Sequence, residues 1–186
     1  MNDFLKSKYK IFNPRIKQLN GYINLNYKIE SNSSSFILKE FPLNKINLDF
    51  ISAENDILLH LDQNKTGLYP TPIKNIDGDY ITIVSEKNKF FWLLTYLNGK
   101  FLVETKHTAE LFESFGSFLS TTDVKLQDYG SYVIEARQIE WDLQYFQQFI
   151  PEKTKFIENP TDRKLVEYFI QQHREKVEPE LPKLRK

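Results

Sequence analysis

The sequence predicts an α+β protein in which an antiparallel sheet is built first and helices follow it. Three observations carry this reading. Leu25, Tyr27 and Ile29 alternate with polar residues, which is the period of a half-buried strand. Phe90-Phe91-Trp92-Leu93-Leu94-Thr95-Tyr96-Leu97 is almost continuously apolar, as a central strand covered on both faces must be. Beyond residue 101 the spacing of apolar residues changes to three and four, in Leu111, Phe112, Phe115 and Leu119.

Taken in order, the chain opens with a charged, polar lead-in. Asn20-Gly21 then supplies a turn before the alternating strand that reaches Glu30. Ser31 to Ser35 form a polar hairpin loop into a second strand, Phe36-Ile37-Leu38-Lys39-Glu40-Phe41, whose apolar residues fall on both faces. Asp49 to Leu61 reads as a helix. Tyr69-Pro70-Thr71-Pro72 is extended and stiffened by proline. Ile73–Ile76 and Tyr80–Val84 flank the turn signal Asp77-Gly78, and the apolar strand ends at Asn98-Gly99. Three helical stretches follow: one capped by Thr108, with Gly116 allowing a close approach, one from Ile139 to Phe149, and one from Pro160 through Val177.

Composition narrows the function classes. Lys+Arg and Asp+Glu both number 25 in 186 residues, so no net field recruits nucleic acid or an anionic membrane. Cysteine is absent, which removes disulfides and thiolate chemistry. The first ten residues carry charge throughout and have no apolar run, so a cytoplasmic location is expected, with neither leader nor anchor. Asn32-Ser33-Ser34 and Asn64-Lys65-Thr66 match the glycosylation pattern but read as exposed turns. His60, His107 and His173 are too far apart for a metal site, and His173 reads as a hydrogen-bonded core residue. Ser33 to Ser35 have no histidine base at a usable spacing. Asp77 and Asp79 read as a hairpin tip, and Trp141, Tyr145, Phe146 and Phe149 as packing between helices.

Lys39 is the residue that asks for an explanation. An ammonium in the middle of a strand with apolar neighbours on both faces must find an opposite charge. Glu54 is the best candidate, because Ile57, Leu58 and Leu61 follow it at helical spacing and place it on the core-facing stripe. A surface lysine and a first-turn glutamate favoured by the helix dipole would have the same sequence.

Four segments give the pair its context: Gly21-Tyr22-Ile23-Asn24-Leu25-Asn26-Tyr27, Ile37-Leu38-Lys39, Leu93-Leu94-Thr95-Tyr96-Leu97-Asn98-Gly99 and Ile139-Glu140-Trp141-Asp142-Leu143. Together they resemble the N-terminal part of the aminoglycoside phosphotransferase and choline kinase-like family, its hydroxylysine kinase-like members in particular. The latter include kinase domains fused to class III aminotransferases. The resemblance implies a protein-kinase-like fold: an antiparallel-sheet N-lobe with one helix over residues 1–97, then a hinge end and the first helices of a truncated C-lobe over 98–186. It also implies ATP as cofactor, with Mg2+ in the complete domain. Lys39 would contact the phosphates and Glu54 would orient it. Gly21, Asn24 and Asn26 would cover the phosphates, with Ile23 and Asn26 standing where further glycines would in a protein kinase. The backbone at Leu94, Thr95 and Tyr96 would take the adenine edge.

The family's catalytic loop, of the form His-x-Asp-x-x-x-x-Asn, and the metal-binding aspartate after it do not occur in these 186 residues. No catalytic or metal-ligating residue is therefore assigned. The resemblance implies a nucleotide and, in the complete domain, a small amino-alcohol or hydroxylated amino-acid-like substrate. A fragment of this kind would leave apolar helix faces uncovered, among Leu165, Val166, Phe169, Ile170 and Val177, and so would self-associate. The alternative reading is a non-catalytic kinase-like module that binds a ligand or partner in the same cleft. A weaker third is an unrelated α+β interaction domain.

Overall fold

The computed structural model describes residues 1–22, 24–63 and 66–184, so Ile23 of the loop, Asn64 and Lys65 of the second glycosylation pattern, and the terminal Arg185 and Lys186 lie outside the described residues. Among the described residues five antiparallel strands form one sheet: β1 (Arg15–Leu19), β2 (Leu25–Ser31), β3 (Ser34–Pro42), β4 (Ile81–Val84) and β5 (Lys89–Thr95), in the order β1-β2-β3-β5-β4. The serine loop is shorter than expected. Ser31 pairs with Ser34, and Asn32, at φ 54°, makes the tight turn that asparagine tolerates.

The alternation of β3 and β5 builds two cores. Leu38, Phe91 and Leu93 face one way with Ile29, and helix α1 (Asn2–Tyr9) closes that side with Leu5. Phe41, Phe90, Trp92 and Leu94 face the other way, where helix α2 (Lys45–Leu61) contributes Ile51. The central, two-faced strand expected from the apolar run is thus present, ending at Thr95. The α+β arrangement of an antiparallel sheet with helices is the observed one.

Several segments differ from the sequence reading. The lead-in is a helix, because one fully buried leucine and Phe4, 4.4 Å from the Phe91 ring, suffice to seat a charged helix. Residues before Asn20 form β1 rather than a turn approach. Ile73–Ile76 is not a strand. The Ile73 N–H bonds the Leu93 carbonyl beside the bridge Pro72–Leu94, but the N–H groups of Asn75 and Ile76 turn to the Asp79 and Lys8 carbonyls, and the Asn75 side chain takes the N–H groups of Asp77 and Asp79 at the tip. Gly116 lies in open space and permits no close approach.

Contacts divide the chain into two compact units, Met1–Glu135 and Ala136–Lys186. Helices α3 (Ala109–Leu126) and α4 (Tyr132–Glu135) belong to the first. Thr108 caps α3 as expected, accepting from the Leu111 N–H at 3.2 Å. The Tyr69 hydroxyl meets Thr122 at 2.8 Å, and Lys125 Nζ donates to the Leu61 carbonyl at 3.2 Å. These ties carry the first unit past residue 97, where the family resemblance sets its lobe boundary. In the second unit the helix expected from 139 to 149 is broken into a 3₁₀ turn at Leu143–Tyr145 and the short α5 (Phe146–Phe149). Helix α6 (Pro160–Gln172) starts at its proline behind the cap Asn159 and runs into a π turn over His173–Val177, before a last short turn, α7 (Leu181–Leu184). His173 is buried and stacked on Phe146 at 4.4 Å. Among the described residues no helix is long and apolar enough to cross a membrane.

One buried charge sits on the α1 side of the sheet. Glu40 is 8% exposed, forms an ion pair with Lys89, and accepts a long 3.5 Å bond from the Tyr27 hydroxyl. The hydrogen bond to Glu40 holds the Lys89 ammonium above its ordinary range. A raised lysine contributes stability that is complete below its unfolded value and lost as pH rises through the folded one. Lys89→Met is expected to lower stability by about 1–3 kcal/mol at neutral pH, with the difference from the parent shrinking in strongly alkaline buffer. Leu5→Ala should cost about 2–5 kcal/mol in denaturant unfolding, and a cost below about 0.5 kcal/mol would remove α1 from the core.

Candidate functional site

Strand alternation decides which charges meet a ligand. Lys39 pairs across the sheet with Asn26 on one side and Trp92 on the other, and all three point to the α2 face. Glu40, one residue on, points to the opposite face and is locked there. Lys39 is half-buried, with its Nζ 5.4 Å from the Trp92 ring centroid. An aromatic face within this range attracts an ammonium while leaving its donors directed elsewhere. The indole Nε1 in turn donates to Asn55 Oδ1 at 3.2 Å, in the middle of α2. Asn55 is buried and its neighbour Glu54 is half-buried. The strand lysine and the helix segment carrying Glu54 are thus joined through one tryptophan.

The loop before β2 is braced from within. A Cβ on Gly21 would lie 2.0 Å from the Asn24 carbonyl oxygen, so only glycine fits. Asn24 Nδ2 donates to Asn26 Oδ1 at 2.7 Å, and Asn26 Nδ2 approaches the Asn20 carbonyl at 3.5 Å. The side-chain amides that could have covered a ligand therefore bind the loop to itself. The loop borders a cavity of about 310 Å³ that Phe41, Pro42 and the Glu40–Lys89 pair also line.

At the other end of the sheet lies the hinge. Leu94 is buried in the α2-side core. The Thr95 N–H donates to the Thr71 carbonyl at 2.9 Å and the Tyr96 N–H to the Ser35 carbonyl at 3.0 Å. Of the three hinge residues singled out from sequence, two thus have their backbone donors committed within the protein. Leu97 and Asn98 come next, and both line cavities on either side of the hinge, of about 920 and 570 Å³. The larger one is walled by β1 and β2, and its charged lining is Arg15, Lys17, Lys28 and Lys100 against Glu30 and Glu104. That surplus of positive charge suits an anionic ligand. By register, Lys39 falls between the two ends: Phe41 of the loop-side cavity is two residues on, and Ile37, paired with Lys28, is two residues back.

Two groups escaped the sequence reading. Lys28 forms an ion pair with Glu30 at 2.7 Å and lies over the Tyr96 ring at 4.4 Å. The Glu40–Lys89 pair is the other. The signal for the first was the i, i+2 spacing of Lys28 and Glu30 on one strand, which puts both on one face. For the second it was the adjacency of Lys39 and Glu40, which puts them on opposite faces.

Neither a family model nor a curated protein matches the sequence. Solved structures do resemble the fold. An amicoumacin kinase bound to AMP-PNP and Ca2+ superposes with a TM-score of 0.62 at 16% identity, covering 91% of this chain and 52% of that one. A microcompartment-associated aminopropanol kinase gives 0.58 at 18% identity, covering 81% and 47%. A spectinomycin phosphotransferase bound to ADP and spectinomycin gives 0.56 at 12% identity, covering 92% and 52%. The chain spans about half the length of each of these proteins. It has the fold of the aminoglycoside phosphotransferase-like small-molecule kinases, over about half of such a chain.

Proposed function

We propose that this chain is the nucleotide-binding portion of an ATP-dependent phosphotransferase acting on a hydroxyl of a small amino-alcohol or hydroxylated amino-acid-like metabolite. The observation that carries the reading is Lys39, set on the Trp92 ring in the row between the loop and the hinge. There its ammonium is directed to the phosphates of a nucleotide whose base lies at the hinge, and Glu54 on α2 holds its direction. The neighbours' bound AMP-PNP and ADP support a nucleotide as ligand of this fold. The aminopropanol kinase supports a small amino alcohol as acceptor.

The chain alone is inactive on this reading. Phosphoryl transfer needs a carboxylate to position the acceptor hydroxyl and oxygen ligands for Mg2+. We assign the Mg2+ ligands to the complete domain. The cytoplasm is the expected compartment.

Titration with ATP or ADP should quench or shift Trp92 emission, because any ligand that draws Lys39 away changes the ring's surroundings. Lys39→Ala should weaken ATP binding by about tenfold or more, the value of a charge-assisted contact. Absence of any response to either nucleotide would defeat the nucleotide reading and leave the partner-binding module. Magnesium-dependent ATP turnover by the chain, abolished by Lys39→Ala, would overturn its inactivity. Leu165 and Phe169 are 55% and 57% exposed on one face of α6, and sedimentation should show concentration-dependent self-association. A strictly monomeric species at high concentration would count against uncovered apolar faces.

A further inference from the structure

One reactive triplet occurs twice in the chain. Leu19-Asn20-Gly21 stands in the loop before β2 and Leu97-Asn98-Gly99 at the hinge. An asparagine before glycine can close a ring on itself, because glycine has no Cβ to shield the backbone nitrogen that attacks. With the local chemistry equal, the fold decides which copy reacts. At the hinge nothing holds the peptide. Residues 96–100 lie in no helix, strand or turn, Asn98 and Gly99 are exposed, and a Cβ on Gly99 would meet nothing within 4 Å. Neither the Asn98 side-chain amide nor the Gly99 N–H has a hydrogen-bond partner among the described residues. In the loop the same step is obstructed. Ring closure must turn the Asn20 carbonyl, which Asn26 Nδ2 approaches at 3.5 Å. The peptide has no room to swing, since the Asn24 carbonyl oxygen lies 2.0 Å from where a Gly21 Cβ would stand. The related pair Asp77-Gly78 is closed twice over. The Gly78 N–H donates to the Asn75 carbonyl at 3.1 Å, and Lys8 holds the Asp77 carboxylate at 3.1 Å.

We propose that Asn98 is a site of spontaneous deamidation, selected over Asn20 by the fold. The Gly99 nitrogen attacks Asn98 Cγ and gives up its proton. The Cγ–Nδ2 bond breaks and Nδ2 leaves with that proton as ammonia, so that a cyclic imide joins the two residues. Water then opens the imide. Cleavage of the bond from the nitrogen to Cγ leaves aspartate, and cleavage of the bond from the nitrogen to the main-chain carbonyl carbon leaves isoaspartate, whose backbone is longer by a methylene. Either product carries a new carboxylate where Asn98 lines the cavities on both sides of the hinge. In the larger one it offsets part of the positive charge of Arg15, Lys17, Lys28 and Lys100. The site stands apart from the nucleotide reading and does not need it.

The test is incubation of the chain in mildly alkaline buffer at physiological temperature, followed by peptide mapping with mass spectrometry and by labelling with isoaspartyl methyltransferase. In the native chain Asn98 should convert about tenfold or more faster than Asn20, the protection that a locally closed segment gives. In denaturant the two rates should come within about twofold of each other, because the triplet is the same and the closure is gone. Gly99→Ala, which the open space accommodates, should slow conversion at position 98 by about tenfold or more without moving the unfolding midpoint. Equal rates at the two asparagines in the native chain overturn the proposal, and so does Asn20 reacting first. A preference for Asn98 that survives in denaturant traces to the flanking residues and overturns it equally. Conversion undiminished in Gly99→Ala would show direct hydrolysis of the amide in place of ring closure, and does the same. Should Gly99→Ala not fold, the native and denatured ratios of the parent decide.

Discussion

Trp92 is the residue on which the geometry of the cleft depends. It is fully buried, it bonds Asn55 in the middle of α2, and it carries Lys39 on its ring. A buried indole N–H without an acceptor costs about 1–3 kcal/mol, so the bond to Asn55 fixes both the ring and the height of α2 against β5. The ring then fixes the stem of Lys39. A single side chain from β5 thus ties β3 to α2, two elements that precede it in the chain. Without that ring, a lysine on a half-buried strand would have its full rotamer freedom, and any ligand would have to order it on binding.

Adjacent charges are sorted by the pleat. Lys39 and Glu40 are neighbours in sequence and of opposite charge. In β3 they cannot pair, because successive side chains leave opposite faces. Glu40 is answered by Lys89 from β5 on the α1 side, which leaves Lys39 on the α2 side with an aromatic surface and no strand carboxylate opposite it, its cross-strand partners being Asn26 and Trp92. Lys28 and Glu30 show the converse. Two residues apart on β2, they leave the same face and pair with one another. The Glu30 carboxyl is held below its ordinary range, by the Lys28 hydrogen bond first, so this pair persists into mildly acidic solution and is lost only as pH falls through the depressed value.

How much of this was legible in the sequence follows the same physics. The β2–β3 hairpin, the two-faced β5, the Thr108 cap and the Pro160 start were readable, because period and capping chemistry are local. Helix α1 was not. Its charges announce a solvated segment, and only the fold shows that Leu5 is fully covered. The strand expected at Ile73–Ile76 failed because the N–H groups of Asn75 and Ile76 go to the Asp79 and Lys8 carbonyls and not to a neighbouring strand, an effect periodicity does not register. Helix 139–149 failed because aromatic spacing alone does not guarantee a continuous turn. Of the site, Lys39 and its partner helix could be picked out by residue type and position. Lys28 over Tyr96 could not, since they stand 68 positions apart in the sequence.

The braced loop and the committed hinge point to the same economy of recognition. A loop with several glycines can turn bare N–H groups toward phosphates. Here Asn24 and Asn26 tie the loop to itself, and the one essential glycine serves its closure. At the hinge, the segment at Thr71 and the start of β3 at Ser35 take up the N–H groups of Thr95 and Tyr96 from either side. The loop amides and two of the hinge N–H groups are therefore committed within the protein. Of the cations on the α2 face of the sheet, Lys39 and Lys28 are each seated on an aromatic ring. A preset cation loses less freedom on binding than a mobile one, so on the nucleotide reading proposed above Lys39 would meet its ligand already in position.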